Sequence, residues 1–138
     1  MALDPQASAF LELGKAANLP DISVQGATVA RGYSHAQPDI SGPLDPSVAI
    51  TFEFFTSSTA DIAVAIYTPP APSQAKRAGL VYFHGGGWVI NYIGRYHAQM
   101  AAMAKKTNSV IVSVNYQKAP EHKFPIPFDD CWASVEWV

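Results

Sequence analysis

The sequence predicts an α/β fold on three observations. Leu80-Val81-Tyr82-Phe83 and Val110-Ile111-Val112-Ser113-Val114 are continuous apolar runs of strand length, the pattern of strands covered on both faces. Between them Tyr96, Met100, Met103, Ala104 and Thr107 fall on one helical face. Strand, helix and strand in such a short span read as a βαβ unit, which implies a parallel sheet with a right-handed crossover. Upstream, Ile50, Phe52 and Phe54 alternate, as do Ile62, Val64 and Ile66, with Ser57-Ser58-Thr59 between them, which predicts an antiparallel hairpin.

The remaining elements follow in order. Asp4-Pro5 reads as an N-cap followed by Pro at the first helical position, and Ala7, Phe10, Leu11 and Gly14 then share a stripe, so a short amphipathic helix is expected over 5–16. Residues 18–47 carry Pro20, Pro38, Pro43 and Pro46 with Gly26, Gly32 and Gly42, and are expected to drape irregularly over the rest. Pro69-Pro70-Ala71-Pro72 ends the hairpin and opens a polar loop through Gly79. Lys105 and Lys106 suit the last turn of the central helix. A further helix should begin near Pro127, with Asp129 and Asp130 in its first turn and Trp132 and Val135 facing inward. The division is an N-terminal helix and cap-like segment over 1–47, then an incomplete α/β domain over 48–138.

Composition bounds the function. At 138 residues the chain is one domain at most, or part of a larger one. With 49% apolar residues it is no disordered tail. Its formal charge is −2 and no basic run exceeds Lys76-Arg77 or Lys105-Lys106, which argues against nucleic-acid binding and a polybasic membrane anchor. No apolar run approaches the roughly 20 residues that span a bilayer, and no N-terminal address is legible, so a cytoplasmic location is expected. Cys131, the single cysteine, forms no internal disulfide or Cys-based metal site and reads as a small buried hydrophobe. The last residues continue in helical style without a stop signal, so the chain reads as cut there.

The chemistry-bearing signal is His84-Gly85-Gly86-Gly87-Trp88, directly after the first apolar run. Consecutive N–H groups unobstructed by side chains can point at one oxygen that becomes negative in a transition state. His84 is placed to hold this loop by side-chain hydrogen bonds, and Trp88 to form an apolar wall. A plain Gly-rich turn accounts for the same residues, and phosphate binding is a third option, although neither phosphate-loop pattern occurs. A second signal, Asn115 to Pro125, follows the second apolar run, at the sheet edge where α/β ligand sites form. Glu121 is assigned a structural role there, tying this loop to the His84 loop through a buried hydrogen bond.

Together these residues resemble the hormone-sensitive-lipase-like branch of the α/β-hydrolases, carboxylesterases that carry His-Gly-Gly-Gly-[Trp/Phe] after the third strand and Tyr-Arg-x-Ala-Pro-Glu-His-x-Phe-Pro after the fourth. The first motif is complete at 84–88. The second is matched at Tyr116, Ala119, Pro120, Glu121, His122, Phe124 and Pro125, with Gln117 in place of Arg. The resemblance covers about residues 45–138, and more loosely the N-terminal helix as part of a cap. It implies the N-terminal part of an α/β-hydrolase fold and a Ser–His–Asp ester hydrolase, esterase or lipase-like, of small acyl esters with neither metal nor organic cofactor. Backbone N–H groups of Gly85, Gly86 and Gly87 would form the oxyanion hole, with His84 positioning the loop. Trp88 and Tyr92 would line the acyl or alcohol pocket, beneath Phe10 and Leu11 of the cap. Gln117 puts in doubt any ion pair that Arg would make.

The nucleophile of that family stands in a Gly-Asp-Ser-Ala-Gly elbow, followed by Asp and then His, and none of these is present. Gly32-Tyr33-Ser34-His35-Ala36 is a partial imitation read as a loop coincidence, with Ser34 solvated. His35, His97 and His122 are read as loop or helix-surface residues. The 138-residue chain alone is therefore expected to be inactive. Its partners would be a small ester and the missing C-terminal half, or a second chain supplying it. A non-catalytic protein that binds apolar ligands or a partner through an unfinished sheet is the competing class, since the last strand would expose an unpaired edge.

Overall fold

The Asp4-Pro5 pair acts as its chemistry predicts: the Asp4 carboxylate accepts hydrogen bonds from the Gln6 and Ala7 N–H groups, and Pro5 stands where no N–H is needed. In the computed structural model, which describes residues 2–18, 21–37, 41–70 and 76–138, these residues open helix α1 (Pro5–Ala16). Helix α1 buries none of its residues, and Phe10 and Leu11 are exposed. The irregular reading of 18–47 is corrected. Ile22–Val24 forms a single 3-10 turn and Ala27–Ala36 a second helix, α2, which buries Ala30 and Ser34. The breakers cluster at its ends, with Gly26 as N-cap, so only Gly32 interrupts the interior. Pro20, Pro38 and the Ala71-Pro72 part of the later loop lie outside the described residues.

The hairpin forms where alternation predicts it. Strands β1 (Ala49–Thr56) and β2 (Asp61–Thr68) pair antiparallel, and the Ser57 N–H donates to the Ala60 carbonyl at 2.8 Å to close the turn. Phe52 and Phe54 nevertheless face outward, and Phe55 is the β1 residue that is buried.

Strand β3 (Gly79–Phe83), helix α3 (His97–Thr107) and strand β4 (Val110–Val114) then make the βαβ unit, with β3 and β4 parallel. The sheet order is β1-β2-β4-β3, because β4 also pairs antiparallel with β2. This corrects the edge. The last strand is interior, and among the described residues β1 and β3 are the strands with one partner each, which is why Leu80 and Phe83 of β3 are exposed while Ile111 to Val114 are buried.

Two helices cover opposite faces of this sheet. Ala101, Ala104 and Met100 of α3 pack with Ala65, Tyr67 and Ile111, while Met103 turns outward. On the other face Cys131 packs with Phe55, Ile62, Val64, Val112, Val114 and Tyr116. Cys131 belongs to α4 (Ile126–Trp137), whose rotation differs from expectation: Pro127, Asp130, Cys131 and Ser134 face inward, and Trp132 is 58% exposed with Val135 beside it. A buried acceptor explains the difference. The Asp130 carboxylate, 1% exposed, takes the Gln117 N–H at 2.9 Å and the Gln117 side-chain amide at 3.3 Å, so this face must meet the 115–125 loop. Among the described residues no helix is long and apolar enough to cross a membrane.

Candidate active site

Residues 84–92 leave β3 at its C-terminal end and turn back toward α3. His84 is buried there between two aromatic rings, Tyr116 at 4.4 Å and Tyr96 at 6.0 Å between ring centres. Its Nδ1 lies 2.9 Å from the Gly85 carbonyl, which fixes the tautomer with the proton on Nδ1. Burial pulls the imidazole below its ordinary titration range, so the ring is held neutral. The Tyr116 hydroxyl donates to the His84 carbonyl at 2.5 Å, and burial pushes its own pKa up to about 12, so it stays a donor across the physiological range.

The loop backbone is fixed carbonyl by carbonyl. The Gly85 carbonyl accepts from His84 Nδ1 and from Asn91 Nδ2, both at 2.9 Å. The Gly86 carbonyl accepts from the Val89 and Ile90 N–H groups at 3.1 and 3.0 Å. A trans peptide points its N–H opposite to its carbonyl. Tying down these two carbonyls therefore turns the Gly86 N–H away from the Asn91 amide and the Gly87 N–H away from the Val89 and Ile90 amides. Among the described residues neither of these glycine N–H groups, nor the N–H of Gly85, has a hydrogen-bond partner. Glycine is required for this path. Gly86 has φ +140° and Gly87 +58°, and a Cβ on Gly86 would collide with the Ile90 carbonyl.

Two cavities flank the loop. One, of about 290 Å³, is lined by Trp88, Ala119, Phe124, Pro127 and Phe128, so Trp88 forms an apolar wall together with both ends of the 116–128 stretch. The other, of about 390 Å³, lies between Gly86, Gly87, Val89 and Ile90 and the segment from Ile22 to Ala30. Tyr92 borders neither of these two; its ring packs on His35 at 4.6 Å. Phe10 and Leu11 do not line them either.

Glu121 reaches the loop through a residue that no local motif marks. Its carboxylate, exposed and not buried as expected, pairs in bidentate fashion with Arg31 of α2, at 2.7 Å for each bond. The same guanidinium donates to the Val89 carbonyl at 2.8 Å and the Ala119 carbonyl at 2.7 Å. These bonds hold the Glu121 carboxyl down at about 2. The available signal was charge economy: Arg31 is the one Lys or Arg between Lys15 and Lys76. Ser34 is also corrected. It is 5% exposed, and its hydroxyl donates to Asn91 Oδ1 at 2.5 Å. His97 bonds the Tyr67 hydroxyl at 2.6 Å, and Cys131 is buried with its thiol pushed up to about 12, which makes it a poor nucleophile. Among the described residues no His, Cys, Asp or Glu group is arranged to hold a metal.

Comparison with known proteins agrees with this fold. Residues 80–138 match a family described as the alpha/beta hydrolase fold. The chain is 44% identical over 101 residues to tuliposide A-converting enzyme b1, amyloplastic, of Tulipa gesneriana, covering 70% of this chain and 26% of that one. It is 33% identical over 97 residues to esterase LipI of Mycobacterium tuberculosis, covering 70% and 30%. Among solved structures, the ester-hydrolase EH1AB1 from the metagenome of Lake Arreo superimposes with a TM-score of 0.90 at 26% identity, over 99% of this chain and 44% of that one. The chain thus spans about a quarter to a third of these curated relatives. With a glycine loop at the end of β3, a mixed four-stranded sheet and these relatives, the chain belongs to the α/β-hydrolases and corresponds to an N-terminal portion of their hormone-sensitive-lipase-like branch.

Proposed function

We propose that this chain is the oxyanion-hole half of a serine carboxylesterase acting on small acyl esters. One observation supports the reading: among the described residues the Gly86 and Gly87 N–H groups are unpartnered, each opposite a carbonyl that neighbouring donors tie down. Such a pair of preset donors costs no reorganisation when a carbonyl oxygen becomes an alkoxide, and each donor contributes about 10²–10³ in kcat. His84 positions the loop and Trp88 walls the acyl or alcohol side. Gly85 offers a third N–H, and Tyr92 joins the pocket only if the His35 stack opens. Residues 1–47 serve as a cap-like segment over the incomplete hydrolase domain of 48–138.

The nucleophile, base and acid come, in this reading, from polypeptide outside these 138 residues, in keeping with a chain that covers 44% of the solved ester-hydrolase. No cofactor enters the chemistry. A cytoplasmic location belongs to the same proposal, with a plastid as the alternative that the tulip relatives suggest.

The test is hydrolysis of p-nitrophenyl acetate by two proteins: the 138-residue chain, and the chain extended by whatever its coding DNA encodes beyond Val138. The first should show no turnover above a heat-killed control. The second should turn over, be inactivated by a serine-directed organophosphate, and lose about 10²-fold or more in kcat on Gly86→Ala. An active extended enzyme indifferent to Gly86→Ala would sink the oxyanion assignment. A second reading, a non-catalytic partner-binding protein, is favoured by the open edge of β3 and the exposed Phe128, Trp132 and Val135 on α4. A sharply melting monomer with no extension would favour it.

A further inference from the structure

The N-terminal helix α2 touches the glycine loop through two side chains one turn apart, and each contact ends on a carbonyl of the loop or of the segment beside it. Ser34 donates to Asn91 Oδ1, which leaves the Asn91 amide nitrogen facing the Gly85 carbonyl at 2.9 Å. The Asn91 amide nitrogen also donates to the Tyr96 hydroxyl at 3.1 Å, so Ser34 and Tyr96 together keep the amide oxygen turned away from the Gly85 carbonyl. Arg31 spends its guanidinium on the Val89 carbonyl, the Ala119 carbonyl and both Glu121 oxygens. The Ala119 N–H in turn donates to the Trp88 carbonyl at 2.8 Å, so Arg31 clamps the loop and the 116–122 segment to one another. Trp88 and Asn91 hold left-handed backbone, with φ +62° and +72°, and for Trp88 that conformation persists only when its surroundings over-determine it.

We propose that α2 is the strut that sets the oxyanion loop, with Arg31 and Ser34 as positioning residues that never touch the substrate. Its catalytic meaning rests on the oxyanion reading above; its structural content does not. Helix α2 lies more than 50 positions from the loop in sequence and forms no strand, so the loop's donor geometry depends on a segment outside the sheet. The Arg31–Glu121 pair alone would be an ordinary half-exposed ion pair of small effect. What distinguishes a strut is the donation to backbone carbonyls, which a carboxylate cannot replace.

The experiment is amide hydrogen exchange on the 138-residue chain, read at Val89, Ile90 and Ala119, whose N–H groups are bonded to the loop carbonyls, and at the strand residues Val64 and Val112 as reference. The proteins are wild type, Arg31→Ala, Arg31→Lys, Ser34→Ala and the charge-swapped Arg31→Glu/Glu121→Arg. The strut predicts measurable protection at the three loop amides in wild type. It predicts exchange there about tenfold or more faster in Arg31→Ala and Ser34→Ala with Val64 and Val112 unchanged, an intermediate Arg31→Lys, and no rescue by the charge swap. Unprotected loop amides in wild type, equal acceleration at the strands, or full rescue by the swap would each overturn it. Should Arg31→Ala fail to fold, Arg31→Lys and Ser34→Ala carry the same comparison. No ester or nucleophile enters this measurement, so the strut and the esterase reading fail separately.

Discussion

At Glu121 the chemistry of one side chain can be followed into a pH profile. Its carboxyl is held at about 2 against an ordinary 4.5, first by its hydrogen bonds to Arg31. A carboxyl depressed on folding contributes stability above its unfolded value and loses it as pH falls toward the folded one. Thermal stability should therefore drop between about pH 4.5 and 2, and Glu121→Gln should remove part of that limb. Asp45, also held at about 2 by Lys105, will retain its share. Melting curves of both proteins across that range check the sign. Asp130 is a different case, since its loss strands a buried donor. Asp130→Ala should cost about 1–3 kcal/mol by leaving the Gln117 N–H unpaired, measured by urea unfolding. At this scale the sequence was legible where one residue does one job. The Asp4 cap, the buried Cys131 and the glycine run could be read directly. Arg31 and Ser34 could not, because their partners lie more than 50 positions away and no local pattern announces them.

Elements were legible by period and failed by rotation. Helix α4 begins as Pro127 predicts, yet its inward stripe is Pro127, Asp130, Cys131 and Ser134, polar enough to be mistaken for the wet face. The large apolar residues Trp132 and Val135, which the sequence pattern predicts to face inward, lie on the exposed side. Trp132→Ser should accordingly change stability by less than about 0.5 kcal/mol, while Ser134→Leu, forced against a filled core, should cost about 1–3 kcal/mol in the same unfolding experiment. Helix α2 was hidden by the density of Pro and Gly around it, although those residues mark its ends. The order β1-β2-β4-β3 was likewise out of reach, because period-2 and apolar-run signals say which residues form strands, not which strands are neighbours.

Seen as a whole molecule, the chain joins the glycine loop to a four-stranded mixed sheet. Strand β3 bears the glycine loop at its end and, among the described residues, lacks a partner along one side, with Leu80 and Phe83 exposed. An open edge of this kind favours pairing with another chain, so the 138-residue protein should self-associate as its concentration rises. Leu80→Lys should shift sedimentation toward monomer if the edge is responsible. The same edge is where further polypeptide would complete the sheet, and the catalytic reading depends on there being some. Reading the coding DNA past the codon for Val138 tests this most directly. The account predicts an open frame that reaches a Gly-Asp-Ser-Ala-Gly elbow, then Asp and His, so that Gly86 and Gly87 face a nucleophile. A stop codon at that point, with no second chain supplying the elbow, would contradict it.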